Sequence, residues 1–114
     1  MTEHLWDLRE RAYQRGDDDA ADELIELARE RGDLDELRTL AFRGNTDAQD
    51  VLIEMLAERR ATDELREMAA DGITDAEDML VELANAHSDI PELRRLAAAG
   101  NEDAADILEE LENE

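Results

Sequence analysis

The chain has no cysteine and no lysine, one proline, and three aromatic residues in 114 positions: Trp6, Tyr13 and Phe42. Without cysteine there is no disulfide framework, no thiol nucleophile and no thiolate zinc site. No apolar run approaches the roughly 20 residues that span a bilayer, and no basic segment precedes an apolar stretch near residue 1. The scarcity of aromatic and β-branched residues also weighs against a sheet protein. Histidines number two, and no HExxH pair or glycine-rich phosphate loop occurs.

What is abundant is equally one-sided. Alanine (18) and leucine (16) make up most of the apolar residues, alongside 34 acidic residues and 12 arginines, for a net charge of -22. These are helix-forming residues. The charge opposes association with nucleic acid or anionic lipid, whose phosphates would be repelled. It is compatible with a heavily solvated surface, with attraction to basic partners, or with a saline environment.

One phrase recurs. "TDAQDVLIEML" from Thr46 returns as "TDAEDMLVELA" from Thr74 and "EDAADILEELE" from Glu102, with a fainter copy, "DDAADELIELA", from Asp18. Gly16, Gly44, Gly72 and Gly100 set a period of 28 residues, followed each time by Ala20, Ala48, Ala76 or Ala104 and then Leu24, Leu52, Leu80 or Leu108. A fixed period of this length marks a repeat array.

Each unit reads as two short helices. Leu37, Leu40 and Ala41 form one stripe, matched by Leu65, Met68 and Ala69 and by Leu93, Leu96 and Ala97. The glycine that follows suits a left-handed residue just past a helix end. Thr46 with Gln49, Thr74 with Glu77, Asp33 with Glu36 and Asp89 with Glu92 have capping-box spacing, and Pro91 falls in a first helical turn. The prediction is all-α: eight short helices in four stacked hairpins, over residues 2–31, 33–60, 62–87 and 89–112 of a single domain, 1–114.

The second helix of a unit is apolar across a broad face, with Val51 and Ile53 on its two flanks. A lone hairpin cannot cover both, so neighbours must stack. The Val51 position is Met79 and Ile107 later but Glu23 in the first unit; the Ile53 position is Ile25 and Val81 but Glu109 in the last. Polar outer flanks are expected of capping repeats, and of a monomer. The first helix departs from the pattern, because Arg9 stands where Leu37, Leu65 and Leu93 stand later. Leu5, Leu8 and Ala12 offer a replacement stripe, with Trp6 and Tyr13 beside it.

Hairpin repeats of this kind resemble the tetratricopeptide and Sel1-like superhelical families, with a shorter unit and without their aromatic and proline signature positions. The phrases "ERGDLDELR" and "AAAGNEDAADILEEL" resemble short repeats in acidic, lysine-poor proteins of actinobacterial type. The resemblance covers residues 16–111. It implies a right-handed α-solenoid whose first helices line a concave face, a scaffolding or binding role, and no catalytic residues. The regular period and polar ends also suit a consensus-built or designed protein.

Two charge ladders follow the repeat. Asp19, Asp22 and Glu26 recur as Asp47, Asp50 and Glu54, as Asp75, Asp78 and Glu82, and as Asp103, Asp106 and Glu110. Offsets of three and seven put each trio on one helix face, opposite the apolar one. An acidic strip there is either a site for basic peptides or hard cations, or a solvated face whose acids suit the helix N-termini. Arg38, Arg66 and Arg94 share one position, joined on the first-helix surface by Arg43 and Arg95. Arginine there would grip a carboxylate such as a peptide C-terminus, or else pair with Asp35, Glu36, Asp63, Glu64 and Glu92 nearby. "HSD" (His87, Ser88, Asp89) holds the residue types of a serine triad, but adjacency is not triad geometry and the position is that of a helix cap. "RGDDDAADE" lacks EF-hand spacing.

The expected function is therefore a non-catalytic helical scaffold that binds a protein or peptide through its first helices, cytoplasmic, with no cofactor or metal and no nucleic-acid or membrane partner. The alternative is an acidic decoy that occupies a basic, nucleic-acid-binding protein.

Overall fold

A computed structural model describes residues 2–113. They form eight helices and, among the described residues, no strand: α1 (Thr2–Gln14), α2 (Asp18–Arg31), α3 (Leu34–Phe42), α4 (Thr46–Glu58), α5 (Thr62–Ala70), α6 (Thr74–Ala86), α7 (Ile90–Ala98) and α8 (Glu102–Glu112). The all-α prediction holds, with α1, α3, α5 and α7 leading the hairpins and the even-numbered helices trailing. No helix among the described residues is long and apolar enough to cross a membrane. The chain divides into two compact units, residues 1–55 and 56–114, the division falling inside α4.

The connections explain how such short helices reverse so tightly. At all seven a residue with positive φ follows the helix end, and six of them, Gly32, Gly44, Arg60, Gly72, Ser88 and Gly100, share one bonding pattern that Gly16 does not. In each of the six, the amide of that residue bonds the carbonyl three positions back, and the next amide bonds the carbonyl five back, as in Gly44 to Ala41 (3.0 Å) and Asn45 to Leu40 (3.1 Å). This doubly bonded left-handed stop satisfies carbonyls that the helix end would leave bare. The residue after it stands immediately before the first residue of the next helix, in the capping position. Asn45 accepts from the Ala48 amide at 2.9 Å, Asn101 from Ala104 at 2.8 Å, Asp33 from Glu36 at 3.1 Å and Asp89 from Glu92 at 3.2 Å.

The capping boxes expected at Thr46 and Thr74 are displaced by one residue. Asn45 caps α4, Thr46 is its first helical residue, and Gln49 instead donates to the Ala41 carbonyl on α3 at 3.2 Å. Ile73 precedes α6 without a side-chain bond. Asp33 and Asp89 do cap, but the Glu36 and Glu92 side chains turn elsewhere.

The seventh connection, from α1 to α2 through Gly16, has as many residues as most of the others but closes a hydrogen-bonded ring one residue wider. The Asp17 amide reaches back six residues to the Arg11 carbonyl, at 3.0 Å, where the other turns reach back five. That wider turn shifts α1 by one position against the 28-residue period. Leu8, not residue 9, is then fully buried as Leu37, Leu65 and Leu93 are, and Arg9 takes the solvent-side place that Arg38 or Arg66 occupies later. The break in the leucine column at Arg9 is thus a change of phase.

Within the first unit α2 packs against both α1 and α3; within the second, α6 packs against α5, α7 and α8. Ala20, Ala48, Ala76 and Ala104 are fully buried, small enough for a neighbouring helix to approach closely. Leu8, Leu24 and Leu37 in the first unit and Leu56, Leu65, Leu80 and Leu93 in the second are the largest wholly enclosed side chains among the described residues. At about 1.5–3 kcal/mol for each such leucine, this column outweighs the surface ion pairs, worth about 0–1 kcal/mol apiece. Ile25, Ile53 and Val81 are buried, while Glu109 at the same repeat position is exposed. Glu23, the polar residue on the other flank, is exposed and meets His4 Nε2 at 3.0 Å.

Candidate interaction surface

Capping by Asp33 and Asp89 fixes the first turns of α3 and α7, and this aims Glu36 and Glu92 inward. Both carboxylates are buried, and a buried carboxylate must be paired. In the first unit Arg9 Nε donates to Glu36 at 2.7 Å and the Tyr13 hydroxyl donates to its second oxygen. In the second unit Arg66 on α5 donates to Glu92 on α7 through Nε (3.1 Å) and Nη2 (2.5 Å), and Arg95 Nε donates from one turn along at 2.5 Å. One leading helix is thereby pinned to the next by a charged hydrogen bond.

The electrostatics follow the geometry. Burial pushes the Glu92 carboxyl up, but hydrogen bonds from Arg66 and Arg95 outweigh it and hold the group below the usual carboxylate range. The same bond from Glu92 raises Arg66. Burial, then the hydrogen bond to the Glu36 carboxylate, pushes the Tyr13 phenol above its ordinary value. Asp17, capping α2, is held low first by the Ala20 amide and then by Arg11, which it raises in turn.

The predicted arginine ladder is present but occupied. Arg38 donates to Asp35 at 2.8 Å, Arg66 to Asp63 at 3.1 Å as well as to Glu92, and Arg94 to Glu112 at 3.2 Å. Arg43 meets no acid among the described contacts; its guanidinium lies 4.6 Å above the Tyr13 ring and donates to the Tyr13 carbonyl at 2.9 Å. Arg66 and Arg95 converge on Glu92, whereas Arg43 and Arg94 stand apart from that cluster. The carboxylate trios are all exposed: Asp19, Asp22 and Glu26; Asp47, Asp50 and Glu54; Asp75, Asp78 and Glu82; Asp103, Asp106 and Glu110. Glu54 takes Arg29 of α2 at 2.9 Å. Among the described residues no group of three His, Asp or Glu side chains is gathered for a metal. His87 and Ser88 lie at the α6 end and Asp89 caps α7, with Ser88 in the left-handed turn.

Sequence reasoning missed Arg9, Tyr13 and the buried role of Glu36 and Glu92. The signal was there in the leucine stripe: Glu36 and Glu92 immediately precede Leu37 and Leu93, which places them at the edge of the buried face. It also missed that Trp6 is 68% and Phe42 94% exposed. With Tyr13, they put every aromatic side chain of the protein on the leading helices of the first unit. Comparison with family models, with curated proteins and with solved structures finds no match to this chain.

Proposed function

We propose that the protein is a non-catalytic helical repeat scaffold, of the kind whose hairpins stack as in tetratricopeptide-like arrays, that binds a protein or peptide on its leading helices. One observation carries this reading. The leading helices present mixed chemistry to solvent (Trp6, Phe42, Arg94, Arg95), whereas the outward trios of the trailing helices are carboxylates throughout. Exposed aromatic and arginine side chains are the residues that dominate protein interfaces. The internal pairing of Arg38, Arg66 and Arg95 assigns those arginines mainly to ordering the surface, with ligand contact left to the groups around them.

The test is selection from a peptide display library on the intact chain, followed by amide chemical-shift mapping of an enriched ligand. Enriched peptides that perturb leading-helix residues support the reading. Absence of any enriched ligand from a folded protein contradicts it.

A second reading has its own observation, the exposure of all twelve trio carboxylates with a net charge of -22. As an acidic decoy the chain would bind basic nucleic-acid-binding proteins through those trios. Such binding would weaken steeply as the screening length contracts from about 30 Å to about 3 Å between 0.01 and 1 M salt. Affinity insensitive to salt would eliminate it.

A further inference from the structure

An exposed tryptophan is out of character in a chain so rich in charge and so poor in aromatics. Trp6 and Tyr13 lie seven residues apart on α1, two helical turns on one face, which spaces them about 10.5 Å along the axis. With Arg9, Glu10 and Gln14 they line a surface cavity of 530 Å³. Tyr13 is held in place twice over, by its hydroxyl on Glu36 and by Arg43 against its ring. A side chain fixed before a ligand arrives loses little entropy on binding.

A second cavity, of 390 Å³, adjoins the first through the shared Arg9 and Tyr13 and is lined by Asp33, Asp35, Glu36 and Thr39. Glu36 is already engaged there, and Asp33 holds the α3 cap. Among the described contacts the Asp35 side chain, 92% accessible, meets Arg38 in a one-turn surface pair. Glu10 likewise has a loose partner, Arg15, at 3.5 Å. Surface pairs of this kind are worth little and are readily exchanged. The face is thus aromatic along α1, with available carboxylates to either side, on a protein whose overall field attracts cations.

We propose that this face of the first unit binds a basic, proline-rich peptide. The inference rests on the reading that the leading helices bind peptide, and it names the ligand class. In a polyproline II helix, residues three apart point the same way at a separation of about 9.3 Å, close to the Trp6–Tyr13 spacing. Two prolines so placed stack on the two rings, a mode in which aromatic grooves recognise this preformed, low-entropy conformation. Its backbone carbonyls have no internal partners; the Trp6 indole N–H and the Gln14 amide are donors at the cavity wall. Flanking arginine or lysine residues of the peptide meet Glu10 and Asp35.

The experiment titrates the full chain with a synthetic peptide carrying two prolines three residues apart between arginines. Fluorescence of Trp6, the only tryptophan, and amide shifts are both followed. The expected result is a saturable fluorescence change with shifts confined to α1 and α3. Replacing both prolines by alanine should weaken binding about tenfold or more, as should Trp6→Ala followed by amide shifts, since a tryptophan anchor commonly carries that much. Trp6→Phe should retain most of the affinity. An alanine peptide that binds equally well would overturn the proposal in favour of charge alone. Shifts on α5 and α7 with α1 unmoved would overturn it while leaving peptide binding by the leading helices intact. No shift anywhere at millimolar peptide would overturn it as well, and the library selection then decides the broader reading separately. Self-association that Trp6→Ala abolishes would replace it with a contact between copies.

Discussion

Arg66 and Glu92 form a two-pronged hydrogen bond from α5 to α7, 26 residues apart in sequence, with the carboxylate buried and the guanidinium half in water. Arg9 and Glu36 repeat the relationship between α1 and α3. The burial of the acid makes the bond matter. A carboxylate taken out of water is costly unless paired, and its neighbours here are positioned to pair it.

Glu92→Gln keeps the shape but removes the charge, and should destabilise the second unit by about 1.5–3 kcal/mol, the range for hydrogen bonds to charged groups. The pH dependence gives an independent reading. Because the native Glu92 carboxyl lies below its ordinary value, its contribution is complete above the unfolded value near 4.5. It is lost as pH falls through the native value. Denaturant melts from pH 7 to pH 3 should therefore show a shallower acid decline in Glu92→Gln than in the parent.

The phase shift of α1 predicts that regularising the repeat will harm it. Arg9→Leu, which restores the leucine column on paper, should cost about 1–3 kcal/mol by leaving Glu36 without its arginine. Leu8→Ala should cost about 2–5 kcal/mol, as expected for a fully enclosed leucine. If Arg9→Leu instead stabilised the protein in urea melts, α1 would have to follow the 28-residue register after all.

Arg60 and Ser88 adopt φ of 56° and 50°, positions that Gly32 fills at the equivalent turn. A side chain in this region costs about 1 kcal/mol relative to glycine. Arg60→Gly and Ser88→Gly should each stabilise by about 0.5–1 kcal/mol. Gly44→Ala should lose a similar amount. No atom lies within 4 Å of where the new methyl would sit, so φ of +93° is the sole cause.

Tyr13 is the only tyrosine, so its ionisation can be followed by ultraviolet absorbance without interference. Its native phenol lies above the ordinary value of 10, so the stabilisation it provides is present below that pH. It fades as pH rises through the native value. Glu36→Gln should bring the tyrosinate transition down toward pH 10, because the carboxylate that opposes ionisation is gone.

The fold was legible because its rules are local. The leucine stripes, the glycines at 44, 72 and 100 and the caps Asp33 and Asp89 each act within a few residues, and each appears where the sequence places it. The misses come from elsewhere. Thr46 looked like a cap because threonine favours that role, but Asn45 fits it better and stands immediately before. The positive φ at Arg60 and Ser88 has no local signature, since neither residue prefers it; the turn imposes it. Arg9 misled because a one-residue change in a turn moves every side chain of the helix before it, and a gapless alignment cannot register that. The candidate surface was half visible. The arginine ladder could be read, but its occupation by Glu92 and Asp35, and the exposure of Trp6 and Phe42, depend on which way neighbouring helices face.

The most direct test of the account is a map of amide chemical shifts on the intact chain with a peptide selected for binding to it. Perturbation is expected on the leading helices, α1 and α3 foremost, with the trailing-helix residues Asp47, Asp75 and Asp103 unmoved. Perturbation confined to those carboxylates, or no ligand from selection on a folded protein, would contradict it.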